Sequence, residues 1–277
     1  MPVRYEILGP LRVVDGAEIS SIRAHKIRLL LATLLMRVDR EVSVNQLITE
    51  IWGGNPPRRV ISSLHVYVSQ LRKFLNRSGV AESPIVTQPP GYSLRLGDDE
   101  FDLHEFEGLS RSGRALAQDG RHTEAATALE SALRLWRGPA LSGMRDGPIA
   151  GGFVVWLEES RLESTEILVA SRLALGQHRR LVPYLYALVA EHPLREAFYR
   201  QLMVALYRSE CQAEALKVFQ SARRAIKEQL GLEPCRALQH THLAVLAADD
   251  EQLDRAAAPT SRDRSANAVA AGRPSPC

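Results

Sequence analysis

The sequence predicts an α+β N-terminal part followed by an all-α remainder, and three observations predict it. Period-two patterns with turn signals are confined to the stretch before Phe101. Beyond it, apolar residues recur at three- and four-residue spacing between short Gly- or Pro-containing breaks. Charge changes sign near the same place: residues 1–97 carry 13 Lys/Arg against 7 Asp/Glu, and the remainder carries 22 against 25. Basic charge confined to one part points to a polyanion partner for that part.

Taking the elements in order, Arg4 to Gly9 and Leu11 to Val14, with turn signals at Gly9-Pro10 and Asp15-Gly16, read as a small antiparallel sheet. A helix follows, because Ile27, Leu30, Leu31, Leu34 and Leu35 share one face. A second, short helix runs from Val44 to Trp52 behind the N-cap candidate Ser43 and is broken by Gly53-Gly54-Asn55-Pro56-Pro57. The third is expected from near Arg58 to about Asn76. Ile85 to Thr87 and Tyr92 to Leu96, flanking Gln88-Pro89-Pro90-Gly91, read as a hairpin. Strands, three helices and a hairpin make the order of a winged helix-turn-helix with an extra N-terminal sheet.

The third helix carries the functional signal. On a wheel of about 100° per residue, Val60, Val68, Leu71 and Leu75 fall within about 40° of Leu64, a narrow stripe for a core. Opposite lie Arg58, Arg59, Ser62, Val66, Ser69, Gln70, Lys73 and Arg77, with His65 and Arg72 near the edges, and no acid occurs between Glu50 and Glu82. Such a face suits the major groove. Arg and Lys neutralise phosphates and meet guanine, Gln pairs with adenine, and an outward Val66 suits a thymine methyl. A solvated basic face with one scattered valine is the plainer alternative. Tyr67 and Phe74, beside the stripe, are expected to pack. The hairpin would be the wing, with Gln88 reaching the minor groove; lacking Arg or Lys, it reads equally as a purely structural hairpin.

From Phe101 to about Ala247 no strand signal appears. Gly176-Gln177-His178 with Leu181 recurs 34 residues later as Glu210-Cys211-Gln212 with Ala215, the tetratricopeptide period. An irregular bundle with accidental spacing is the alternative. The expected domains are therefore 1–97, a winged helix, and 98–247, tetratricopeptide-like helical repeats. Residues 248–277, rich in Ala, Arg, Ser and Asp, are expected to be disordered.

The 277 residues, 45% hydrophobic and 24% charged, are ordinary globular material for two domains. Met1 to Tyr5 lack an apolar signal core, and runs such as Leu29 to Ala32 are too short to cross a bilayer, so the chain is expected to stay in the cytoplasm. Cys211, Cys235 and Cys277 form neither a disulfide framework nor a metal knuckle. His240-Thr241-His242 lacks zinc-ligand spacing, no phosphate-cradling Gly loop or Gly-x-Ser-x-Gly elbow occurs, and no enzyme, metal site or cofactor is expected.

Several longer motifs resemble a known family. Gln46-Leu47-Ile48-x-x-Ile51-Trp52-Gly53, the Pro56-Pro57 turn, Val66-x-Val68-Ser69-x-Leu71-Arg72-Lys73 and Gly91-Tyr92 are similar to an OmpR-type winged helix. Leu133-x-Leu135-Trp136-Arg137-Gly138-Pro139-Ala140-Leu141, Leu188 to Glu196 and Gln201 to Ser209 resemble a bacterial transcriptional activation domain. In this order, over roughly residues 4 to 247, the pair resembles the Streptomyces antibiotic regulatory protein family. The resemblance implies a pathway-specific activator that binds direct repeats near the −35 region of antibiotic biosynthesis promoters and recruits RNA polymerase through contacts including its sigma factor. It also implies further copies head to tail on DNA and a polymerase-facing loop at Gly53, Gly54, Asn55, Pro56 and Pro57. Larger members differ: this sequence has no GxxxxGK[ST] segment and no room for a receiver domain ahead of the winged helix. A helical-repeat interaction scaffold, or a repressor with the same DNA-binding fold, are the other readings.

Overall fold

The computed structural model describes residues 2–76, 83–144 and 147–257. It falls into two compact units, one of residues 1–115 with 127–165 and the other of 116–126 with 166–277. The elements that the sequence predicts occur in the predicted order, an N-terminal α+β region with the winged helix and then helices. Three strands, β1 (Val3–Glu6), β2 (Arg12–Asp15) and β3 (Glu18–Ser20), form an antiparallel meander. A two-residue strand, β7 (Glu100–Phe101), pairs parallel to β1, Arg4 opposite Glu100 and Tyr5 opposite Phe101. The sequence reading had the strands end before Phe101; two residues are too few to show a period, and only the edge of β1 makes them a strand.

Helix α1 (His25–Met36) is buried on most of its circumference, from Ile27 to Leu35. Strand β4 (Val42–Ser43), also unforeseen, leads into α2 (Val44–Trp52). Ser43 closes a capping box: its Oγ accepts from Gln46 N, and Gln46 Oε1 accepts from Ser43 N at 3.0 Å. Helix α3 (Val60–Leu75) buries Leu64, Val68, Leu71 and Leu75, as the wheel predicts. It begins two residues after Arg58, because Arg59 is its N-cap. The hairpin β5 (Ile85–Gln88) and β6 (Gly91–Leu94) joins β4 in a three-stranded sheet, order β4-β6-β5. Gly91 is obligatory here. A Cβ on it would lie 2.0 Å from Val42 O, so only a residue without a side chain lets β6 pass β4.

Most of α4 (Asp102–Gln118), the later part of α5 (His122–Arg134) and the first part of α6 (Pro148–Ala174) complete the first unit's core. Asp102, 1% exposed, opens α4 and accepts from Ile7 N at 2.9 Å and Leu8 N at 3.0 Å. Burial pushes its carboxyl up to about 6, against the pull of these N–H donors and of Arg137. The segment Trp136 to Leu141 returns to the same strand end: Arg137 N donates to Leu8 O at 2.7 Å and Leu141 N to Ile7 O at 3.2 Å. Burial would raise the Glu6 carboxyl, but Arg12, Arg137 and Arg4 outweigh it and hold the group below the usual range. Trp136 packs edge-on against Phe106 at 5.4 Å, with Arg161 over its ring at 4.8 Å.

In the second unit α7 (His178–Glu191), α8 (Glu196–Tyr207), α9 (Gln212–Leu230) and α10 (Arg236–Ala247) stack side by side. Helix α8 is buried from Phe198 to Leu206 and packs against α7, α9, α10 and α11 (Asp250–Ala257). The 34-residue period appears in the backbone. Helices α7 and α9 start at His178 and Gln212 after positive-φ residues Gly176 and Glu210, and the paired Leu181 and Ala215 are both buried. Helix α11 departs from the expectation of disorder from residue 248: Leu253 is fully buried, and Asp249 Oδ1 accepts from Gln252 N at 3.0 Å at the start of the helix. A single apolar residue among acids left no stripe to read. The rest of the expected tail, 258–277, lies outside the described residues.

Asp102→Ala should strand the N–H groups of Ile7 and Leu8 in the core and cost about 3 kcal/mol, read as a lower urea midpoint; an unchanged midpoint would show that water replaces the carboxylate.

Candidate nucleic-acid interface

The buried stripe of α3 fixes what the helix shows outward. Ser62, His65, Val66, Ser69, Gln70 and Lys73 are exposed along it, and Arg58 and Arg59 are exposed in the turn at its N-terminus. Val66 is 50% exposed, an apolar side chain with no core to fill. Among the described residues no acid forms an ion pair with Arg58, Arg59 or Lys73. Arg77 lies outside the described residues. A further exposed apolar residue, Ile61 at 55%, sits in the first turn of α3.

Arg72 is placed differently from its neighbours. Its Nε donates to Ile85 O at 3.1 Å and its Nη2 to Thr87 Oγ1 at 2.8 Å, while the guanidinium stands 6.0 Å from the Tyr92 ring. It ties α3 to both strands of the hairpin. Gln88, Pro89 and Pro90 are exposed at the tip, and Gln88 Oε1 lies 3.4 Å from the Ser93 hydroxyl that donates to it. Val44 N donates to Pro90 O at 3.1 Å, tying the hairpin tip to the start of α2.

The turn between α2 and α3, Gly53 to Pro57, is exposed throughout. Gly53 takes φ 59° to cap α2, its N–H donating to Thr49 O. Just before it, Trp52 stacks on Tyr67 of α3, centroids 5.6 Å apart and planes 13° apart, with Lys26 of α1 5.2 Å from the Trp52 ring. Tyr67 therefore packs, as its wheel position predicts, whereas Phe74 is 36% exposed.

In the second unit, His240 is exposed on α10 and His242 stacks on Phe219 at 3.9 Å; its desolvation there lowers the imidazole's pKa. Among the described residues no group of three His, Cys, Asp or Glu could hold a metal, and no helix is long and apolar enough to cross a membrane.

A winged helix followed by helical repeats defines the class of a two-part transcriptional regulator. Residues 101–246 match the bacterial transcriptional activator domain, and residues 23–94 match the C-terminal domain of transcriptional regulatory proteins. The regulatory protein AfsR of Streptomyces griseus is 36% identical over 249 residues, 90% of this chain but 25% of that protein. The transcriptional regulator RedD of Streptomyces coelicolor is 36% identical over 250 residues, 89% of this chain and 71% of that protein. The structure of Mycobacterium tuberculosis EmbR, solved with a low-affinity phosphopeptide, superposes with TM-score 0.85 at 31% identity, covering 92% of this chain and 69% of that one. The chain belongs to the Streptomyces antibiotic regulatory protein family of transcriptional regulators, whose members are not enzymes.

Arg72→Met should loosen the hairpin from α3, speeding amide exchange across Ile85 to Leu94 and lowering stability by about 1–2 kcal/mol in urea; unchanged exchange would show that the guanidinium bears no load there.

Proposed function

We propose that the chain is a sequence-specific, DNA-binding transcriptional activator. Residues 1–97 bind promoter DNA with α3 in the major groove, and residues 98–247 serve activation. The observation that carries this reading is the outward face of α3: exposed Arg58, Arg59, Ser62, His65, Val66, Ser69, Gln70 and Lys73, free of described acid partners, on a helix held rigidly by its opposite stripe. Lys73 and the two arginines at the N-terminus neutralise phosphates, and Ser69, Gln70 and Val66 face base edges. His65 borders that face. Arg77, by sequence position, continues the basic row. Arg72 keeps the wing beside the helix so that Gln88 can meet the adjacent minor groove.

Family membership supports the rest of the reading. The chain binds direct repeats near the −35 region of promoters for antibiotic or other secondary-metabolite genes, with further copies head to tail on the DNA. It recruits RNA polymerase, including its sigma factor, and the exposed turn Gly53 to Pro57 faces the polymerase. It works in the cytoplasm without a cofactor.

The test is a salt-dependent titration of the full chain against a promoter fragment and a scrambled fragment; a specific complex weakening steeply with salt supports the reading, and equal affinity for both fragments overturns it. Lys73→Ala should weaken both complexes and lower the salt slope by about one. Val66→Ser should cost about 1 kcal/mol at a single base step, visible as relaxed preference in a competition series with each base pair varied; preserved preference would remove that contact.

A further inference from the structure

Helix α2 buries Leu47, Glu50 and Ile51, so a carboxylate stands in the apolar stripe of the helix that precedes the DNA-reading one. Glu50 is 3% exposed. Its Oε2 accepts from Ile149 N and its Oε1 from Ala150 N, both at 2.8 Å. These are the first N–H groups of α6 behind Pro148, which has none to offer. The helix is thus capped from a residue 99 positions away. Gly147 completes the fit: a Cβ there would lie 2.0 Å from Glu50 Oε1.

A carboxylate taken from water is costly unless its oxygens find donors, and an apolar residue would fill the stripe more cheaply. What the carboxylate adds is direction. Apolar packing tolerates sliding, whereas two charge-assisted bonds to consecutive N–H groups fix where α2 sits and how it is rotated. Two residues on, the Trp52 ring lies flat on Tyr67 of α3, so the seating of α2 is passed to α3.

We infer that Glu50 is a positioning residue for DNA reading: by holding the N-terminus of α6 it sets the pose of α2 and, through Trp52 and Tyr67, of α3. This rests on the DNA-reading function proposed above. Base recognition then depends on a helix of the activation region, while phosphate attraction does not.

The test uses the full chain with Glu50→Met, which keeps the volume and removes the acceptors, and Glu50→Gln, which keeps one acceptor. Binding to promoter and scrambled fragments is followed by fluorescence anisotropy well below each variant's unfolding midpoint by circular dichroism. Glu50→Met should keep its affinity for the scrambled fragment and its salt slope but lose about ten-fold in the promoter-to-scrambled ratio, with faster amide exchange at Ile149 and Ala150. Glu50→Gln should lose less. A folded Glu50→Met with the full ratio would overturn the inference and leave Glu50 a structural cap; if that variant does not fold, an undiminished ratio in Glu50→Gln does the same. A wild-type chain that fails to distinguish the fragments sinks the DNA-reading function itself, and this inference with it.

Discussion

Two buried carboxylates hold the first unit together by accepting backbone N–H groups from distant parts of the sequence. Asp102 takes those of Ile7 and Leu8, where β1 ends, and Glu50 takes those of Ile149 and Ala150, where α6 begins. Strand ends and helix starts leave donors without partners, and a core that covers them must supply acceptors. Each carboxylate reaches far along the sequence, so the sheet, the helix-turn-helix and the first part of α6 belong to one compact unit. The family boundary near residue 100 therefore marks a change of motif more than a break in packing, since the compact unit continues to Thr165.

The elements legible in the sequence were those with a period. Helix α3 showed a five-residue stripe, α2 a cap and a Gly-Gly stop, and the α7 and α9 starts a 34-residue echo. Each is local, so the chain states it without help from distant residues. The elements that escaped were β4, β7 and α11, whose two or eight residues exist because a neighbour supplies an edge or a pocket: β1 for β7, β6 for β4, and a buried seat for Leu253.

The candidate interface divides the same way. Outward positions follow from knowing the inward ones, which is why Val66 stood out. The tie that Arg72 makes to the hairpin was not legible, because its partners Ile85 O and Thr87 Oγ1 come from the hairpin and no helical wheel includes them. Glu50 did leave a signal, an acid in step with Leu47 and Ile51, but its meaning required α6.

The crowding at Gly91 bears on which positions of the hairpin are open to change. Its neighbours Gln88, Pro89 and Pro90 project into solvent, whereas Gly91 is pressed against the carbonyl of Val42. Variation can therefore accumulate at the tip without disturbing the sheet beneath, and none can enter one residue later. A library that varied the tip would randomise three adjacent codons and leave the fourth untouched.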